Sequence, residues 1–273
     1  MSVFSVEWLA LREPVDAAAR CVSLGGVALA APTRLRAAGP CIDVIDLGAG
    51  TGANLRYLAP LIDAEQHWLL VDNDAVLLAA AAAQLQSRLR QFPCRVQTLA
   101  LDLATQMDRL PLGAGTLVTA AALLDLVSEA WLRSLVQRSA AAGAIVWFAL
   151  TYDGRIECHP PEPEDPEVRN LVNLHQLTDK GFGAALGPGA ATMTQQLLVA
   201  HGYHVHSAAS DWQVAPENLA LQYALVEGWC QAAIAIAPHR ALALHGWLLR
   251  RRAHIAAARS ELRVGHVDIV GHP

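Results

Sequence analysis

The chain has 273 residues, 53% hydrophobic and 16% charged, with a formal net charge of −5. A composition this apolar excludes a disordered chain and suits one large globular domain. The negative balance excludes a surface built for phosphate backbones or anionic lipid.

Taken in chain order, the opening stretch MSVFSVEWLALREPVD lacks a basic segment ahead of an apolar core, so no secretory signal is expected. Residues 14–38 are rich in Ala and Leu around Gly25-Gly26 and predict one or two N-terminal helices. Residues 41–47 are apolar and β-branched, a buried strand. Residues 53–62 carry Leu55, Leu58, Ala59 and Ile62 at helical spacing, and HWLLVD at 67–72 predicts a second strand. An alanine-rich helix follows at 75–91, then strands at 95–103 and 116–121, a helix at 128–141 and a fifth strand at 144–150. Strand and helix alternate throughout, which implies a mostly parallel sheet covered by helices on both faces.

Past residue 151 the rhythm changes. Residues 153–166 (DGRIECHPPEPEDP) predict a loop, and a polar stretch, VRNLVNLHQLTDKGFG, follows it. A helix at 189–201, a strand at 203–214, two helices within 217–260 divided at Pro238 and a last strand at 263–270 complete the expectation. The run Arg250-Arg251-Arg252 reads as a solvated helix face. The apolar stretches are broken by charge, Gly or Pro before the ~20 residues that a membrane helix needs. Cys21, Cys41, Cys94, Cys158 and Cys230 follow no paired spacing, which fits reduced thiols in a cytoplasmic protein and no structural zinc site.

The chemistry concentrates at IDVIDLGAGTGANLRYL, residues 42–58. A glycine-rich turn between strand and helix lets a ligand approach the backbone, but it does not choose the ligand. Gly48, Gly50 and Ala53 satisfy a loose dinucleotide pattern. Asp46, two residues before the first glycine, argues against that use, because a carboxylate there repels a pyrophosphate and favours a cationic ligand.

The segment DLGAGTG, Asp46 to Gly52, resembles the first motif of class I S-adenosylmethionine (SAM)-dependent methyltransferases. The resemblance implies an α/β fold: a doubly wound, mostly parallel, seven-stranded Rossmann-like sheet with helices on both faces. N-terminal helices and a helical insertion before the last strand would be added to it. It also implies S-adenosyl-L-methionine as cofactor, held by Asp46, Gly48, Ala49, Gly50, Gly52 and Asn54 around the first motif. Asp72 would accept the two ribose hydroxyls, Asn73 would contact the adenine, and Asp102 and Leu103 would read its amino group and ring nitrogen. Ala120 closes the fourth strand beside them. The fourth-strand segment LVTAAALLDLV departs from the signatures of nucleic-acid and protein N-methylating members, which turns the expectation toward a small-molecule acceptor with no nucleic-acid or membrane partner.

Four regions are expected: N-terminal helices at 1–40, the SAM-binding core at 41–150, a substrate loop at 151–188, and a helical cap at 217–260 inserted between the last two strands. In a doubly wound sheet the loops leaving the carboxyl ends of the strands face the ligand. HQLTDKGFG, His175 to Gly183, collects several polar groups in one such loop. Tyr152, His175, Gln176, Asp179 and Lys180 are the substrate-binding candidates, and His175 and Asp125 the candidate bases. A turn capped by Thr178-Asp179 with a solvated Lys180 explains that loop equally well, as a helix start explains Asp125. Arg12 suits either the donor carboxylate or a surface salt bridge. His201, His204 and His206 invite a metal reading but lack a further ligand at suitable spacing, so no metal is expected.

Methyl transfer from a sulfonium is an in-line displacement that needs mainly alignment of two reactants, with a base only where the acceptor must lose a proton. The reading is a methyltransferase for a small polar or anionic metabolite. An NAD-type oxidoreductase and a non-catalytic SAM-binding protein of the same fold stay open at this point. So does a homodimer formed through residues 217–260, with Trp229 and Trp247.

Overall fold

A computed structural model of the chain describes residues 4–20, Leu24, 41–88 and 94–273. Cys21 and most of the expected second N-terminal helical stretch lie outside the described residues. Helix α1, Val6–Ala19, begins at Ser5, whose hydroxyl accepts the Trp8 N–H at 3.1 Å. The core then runs β1 (Cys41–Leu47), α2 (Ala53–Leu58), β2 (Glu65–Asp72), α3 (Ala75–Arg88), β3 (Cys94–Ala100), the one-turn α4 (Leu103–Gln106), β4 (Leu117–Ala121), α5 (Glu129–Ala142) and β5 (Ile145–His159). After it come α6 (Asp165–Gln176), α7 (Ala190–Ala200), β6 (His204–Ala209), β7 (Trp212–Val214), α8 (Leu219–Ile236), α9 (Ala241–Ala256) and β8 (Glu261–His272).

The strand order is β3-β2-β1-β4-β5-β8-β6, with β7 pairing to β8 off this path. Strands β1 to β5 are mutually parallel, and β8 enters antiparallel between β5 and β6. This is the doubly wound, mostly parallel Rossmann-like sheet that the sequence predicts, seven strands along its path, with β7 as an eighth that the sequence reading merged into one strand at 203–214. The chain turns between β6 and β7 because Asp211 is drawn inward: its carboxylate accepts from Arg155, Arg263 and the His266 N–H.

Alternation along β1 sends Ile42 and Val44 to one face of the sheet and Ile45 and Leu47 to the other. On the first face they pack with Leu55 and Leu58 of α2 and Leu78 and Leu85 of α3. On the second they pack with Leu132 and Val136 of α5 and Leu197 and Leu198 of α7. Each such side chain contributes about 1.5–3 kcal/mol when fully buried.

Residues 151–159, expected as the start of a loop, instead continue β5. The signal was present: Ile156 and Cys158 are buried and alternate with the exposed Arg155 and Glu157, the period of a half-buried strand. Gly154 at φ 91° and Leu150 at φ 54° sit where the β5–β8 register shifts, so the strand bends rather than ends. This arm of β5 and β8 carries a third core cluster, in which Val226 and Trp229 of α8, Leu244 and Trp247 of α9 and Val168 of α6 are packed.

The run Arg250-Arg251-Arg252 is also different from expectation. Arg251 is fully buried, pairs with Asp165 and donates to the Pro160 carbonyl at 2.6 Å. Arg250 pairs with Glu162 and Glu164, and Arg252 with Glu227. The acidic stretch before α6 and the basic run of α9 neutralise each other, a long-range match that charge patterning along the chain does not reveal. By length and composition α8 is apolar enough to cross a membrane, but Glu227-Gly228 interrupts it, as the sequence reading has it, and Leu221, Leu225, Val226 and Trp229 are packed in the third core cluster.

Candidate functional site

A cavity opens at the carboxyl ends of β1, β2 and β4, lined by Gly48, Gly50, Asp72, Asn73, Leu103 and Ala121. The strand alternation places it there, since every parallel strand delivers its last residues to the same edge. The three glycines of the turn adopt left-handed backbone, with φ 65° at Gly48, 52° at Gly50 and 78° at Gly52. A side chain at Gly50 would lie 3.0 Å from the Leu9 methyl, because α1 lies directly over the turn.

Asp72 fixes the turn. Its Oδ2 accepts the Gly50 N–H at 2.8 Å and its Oδ1 the Asp74 N–H at 2.9 Å. Burial raises its pKa, against those backbone donors. Asn73, beside it, is exposed on the cavity wall.

Asp46 is not on the wall. It is fully buried below the turn, where its Oδ1 accepts from Asn54 Nδ2 at 2.7 Å. Asn54 also donates to Thr119 Oγ1 at 3.0 Å and accepts from Arg20 Nη1 at 2.9 Å. Burial pushes Asp46 up to about 7, opposed by Asn54 and Arg20 and reinforced by the nearby Asp72. Asp46 and Asn54 therefore brace strand to helix beneath the ligand space. Ala49 donates its N–H to the Val71 carbonyl of β2 and Gly52 donates its own to the Ala49 carbonyl within the turn, and Ala120 is buried one residue before the wall residue Ala121.

Asp102 is exposed and caps α4, accepting from Ala104 N at 3.0 Å and Thr105 Oγ1 at 2.8 Å. Its neighbours Leu101 and Leu103 line the cavity, while its own side chain does not.

From the other side come Lys180 and Phe182 of the expected substrate loop, and Arg12 of α1. The Lys180 ammonium donates to the His175 carbonyl and the Thr178 hydroxyl, both at 2.9 Å, and lies 3.3 Å from His175 Nδ1. Burial lowers both pKa values, and the Lys180 charge lowers that of His175 further. Asp179 holds a turn by accepting the Gly181 and Gly183 N–H groups at 2.7 and 3.0 Å. Thus His175 and Asp179 shape the loop, and Lys180 is the candidate that reaches the cavity; Gln176 is half-buried in the last turn of α6, off the wall. Tyr152 lies in the third core cluster, donating to Asn173 Oδ1 at 2.6 Å.

Asp125 is buried behind the wall residues Leu123 and Leu126, and its Oδ1 lacks a hydrogen-bond partner. Burial pushes it up to about 6, while backbone N–H groups and the charges of Arg12 and Lys180 act in the opposite direction. Arg12 combines its two expected roles: it pairs with Asp16 at 2.9 Å, stacks on Trp212 at 5.0 Å, and still lines the cavity.

Sequence reasoning missed Leu9, Phe182 and Arg20. Arg20 lines a second cavity with Asp16, Asn54 and Tyr57, and Ala121 borders both cavities. Its guanidinium lies 4.4 Å over the Tyr57 ring and 3.6 Å from Asp268, and its Nε and Nη2 have no hydrogen-bond partner. No local pattern marks such a residue, because its partners lie on α2 and β8.

No family model and no curated protein matches the sequence. Among solved structures, the chain is similar to a cyclopropane synthase from Mycobacterium tuberculosis, with TM-score 0.48 and 9% identity over 86% of this chain and 79% of that one. It is similar to phospholethanolamine N-methyltransferase 2 of Haemonchus contortus, with TM-score 0.47 and 13% identity over 99% and 58% of the two chains. A SAM-dependent methyltransferase from Leishmania major gives TM-score 0.46 and 15% identity over 75% and 69%.

Proposed function

We propose that the chain is a SAM-dependent methyltransferase that methylates a small, polar or anionic metabolite in the cytoplasm. The observation that carries the reading is the Asp72 carboxylate, which stands on the cavity wall and accepts the Gly50 N–H of the glycine turn at 2.8 Å, with a second acid, Asp46, buried beneath the same turn. A dinucleotide would bring its pyrophosphate to this negative ground. A donor bearing an ammonium and a sulfonium is attracted instead. The same observation disfavours the NAD-type oxidoreductase.

The residues present fit such a donor. Asp72 has two of its carboxylate positions occupied by backbone N–H groups, leaving room to accept two ribose hydroxyls. The second cavity carries both signs of charge on its wall, the Arg20 guanidinium beside Asp268, and Asp16 and Glu13 paired with Arg12 and Arg56, which suits an amino-acid terminus. Asn73, Leu101 and Leu103 would hold the adenine. When bound, SAM supplies an activated methyl group. The chain's own part is then to hold the acceptor in line and exclude water.

Arg12 and Lys180 meet the cavity from opposite elements, which supports an acceptor carrying negative charge. A carboxylate acceptor needs no base. For an acceptor that must lose a proton, Asp125, raised to about 6 between those two cations, and His175 are the groups at hand. Cys41, Cys94, Cys158 and Cys230 are free thiols, which supports a reducing compartment.

Calorimetric titration with SAM, S-adenosylhomocysteine and NAD tests the reading. Binding of the first two without the third is expected, followed by turnover of anionic acceptors in a methyl-transfer screen. Binding of NAD alone by a folded sample would overturn it.

A further inference from the structure

At the end of the sheet opposite the donor cavity, β1 and β2 bring together three side chains that the methyltransferase reading leaves unused. Cys41 opens β1 and pairs in register with Glu65; two residues on, Asp43 pairs with His67. Residues two apart on a strand share a face, and neighbours in register share it too, so all four side chains project from the same side. The thiol of Cys41, a carboxylate oxygen of Asp43 and a ring nitrogen of His67 lie within 4.8 Å of one another.

We propose that Cys41, Asp43 and His67 form a binding site for a divalent transition metal of the zinc class. Thiolate, imidazole and carboxylate are the ligand set that this ion takes, at about 2.0 to 2.3 Å each, and a small rotation of side chains at the sheet end brings the three atoms onto one ion. The imidazole is prepared for it. His67 Nδ1 lies 3.4 Å from Asp43, and its Nε2 is buried from solvent with no hydrogen-bond partner. The surroundings are negative. Glu65 approaches the same imidazole at 3.9 Å, and Asp43 stands at 3.4 Å from it. Arg95, which reaches Glu65 at 3.9 Å, is a mostly exposed side chain free to swing away.

The ion would displace the thiol proton, so binding strengthens with rising pH and releases one proton per ion to solvent. Glu65 or a water would complete the fourth position. Because β1 and β2 are adjacent parallel strands, such an ion would tie their starts together where the chain enters the sheet. It would act as a structural clamp, far from the methyl-transfer site.

The test is titration of the full-length chain with Co(II) in the presence of a non-thiol reductant, read by absorbance. One equivalent should produce a thiolate-to-cobalt charge-transfer band with the intense visible bands of tetrahedral cobalt, and Zn(II) should bleach both. Cys41→Ser should abolish the charge-transfer band, His67→Gln should weaken binding at least tenfold, and Cys94→Ser should leave both signals in place. The inference is overturned if folded protein gives no thiolate band, if the band survives Cys41→Ser, or if the visible bands depend instead on His206, which stacks on His272 at the far edge of the sheet.

Discussion

The carboxylate of Asp72 accepts the backbone N–H of Gly50 across 2.8 Å, so the end of β2 and the turn after β1 form one unit. A single acid thereby sets both the shape of the turn and the charge that a ligand meets. Replacing it by alanine removes a charged acceptor, worth roughly 1.5–3 kcal/mol per hydrogen bond. Asp72→Ala should weaken SAM binding by at least tenfold in calorimetry, with Asp72→Asn intermediate. Unchanged affinity would remove Asp72 from the donor site.

Gly50 combines a left-handed backbone with the near contact of Leu9, so alanine is resisted twice there. Gly50→Ala should cost roughly 1–2 kcal/mol from backbone conformation alone. It should also push α1 away from the turn. Thermal unfolding of Gly50→Ala against Gly50→Ala/Leu9→Ala separates the parts, since only the steric part is relieved in the double variant.

Lys180 reaches the cavity, and His175 positions it through a carbonyl and a ring nitrogen. Lys180→Met should raise the acceptor KM about tenfold, a loss of about 1.4 kcal/mol, with SAM affinity nearly intact. His175→Ala keeps the carbonyl and should cost less. Steady-state kinetics with each substrate varied distinguishes the two, and a collapse of SAM binding in either variant would make the loop a donor lid.

Asp46 is an acid that folding prefers protonated, its carboxyl rising from 3.8 to about 7 on burial. Its contribution to stability is present below pH 4 and is lost as pH rises through 7. Asp46→Asn should accordingly stabilise the fold at pH 8, by at most about 4 kcal/mol, and change it little near pH 4. Urea unfolding at the two pH values reads the difference directly.

Arg251 is fully buried against Asp165, and removal of one partner strands the other charge. Arg251→Met should cost about 3–5 kcal/mol in denaturant unfolding. A loss under 1 kcal/mol would mean that the pair is solvated in solution.

The glycine turn, the strand ends at Asp46 and Asp72 and the alternation of the first five strands were legible in the sequence, because each rests on local period and spacing. Residues 41–72 determine a strand, a left-handed turn and a second strand whatever surrounds them, and the charge placed at the turn narrows the ligand before any fold is built. Which acid faces the ligand was not legible. Asp46 and Asp72 look alike as strand ends, yet the tertiary structure buries the first beneath Asn54 and presents the second to the cavity. The strand at 151–159 was obscured by its glycine and the prolines after it, although Ile156 and Cys158 kept the alternation. Arg251 read as solvated because its partner lies 86 residues away. Arg20 and Leu9 carried no local mark at all. Backbone conformation answers to neighbours along the chain, and so it is written there. Burial and charge pairing answer to neighbours in space, and only the packing of α1, α6 and α9 onto the sheet decided those.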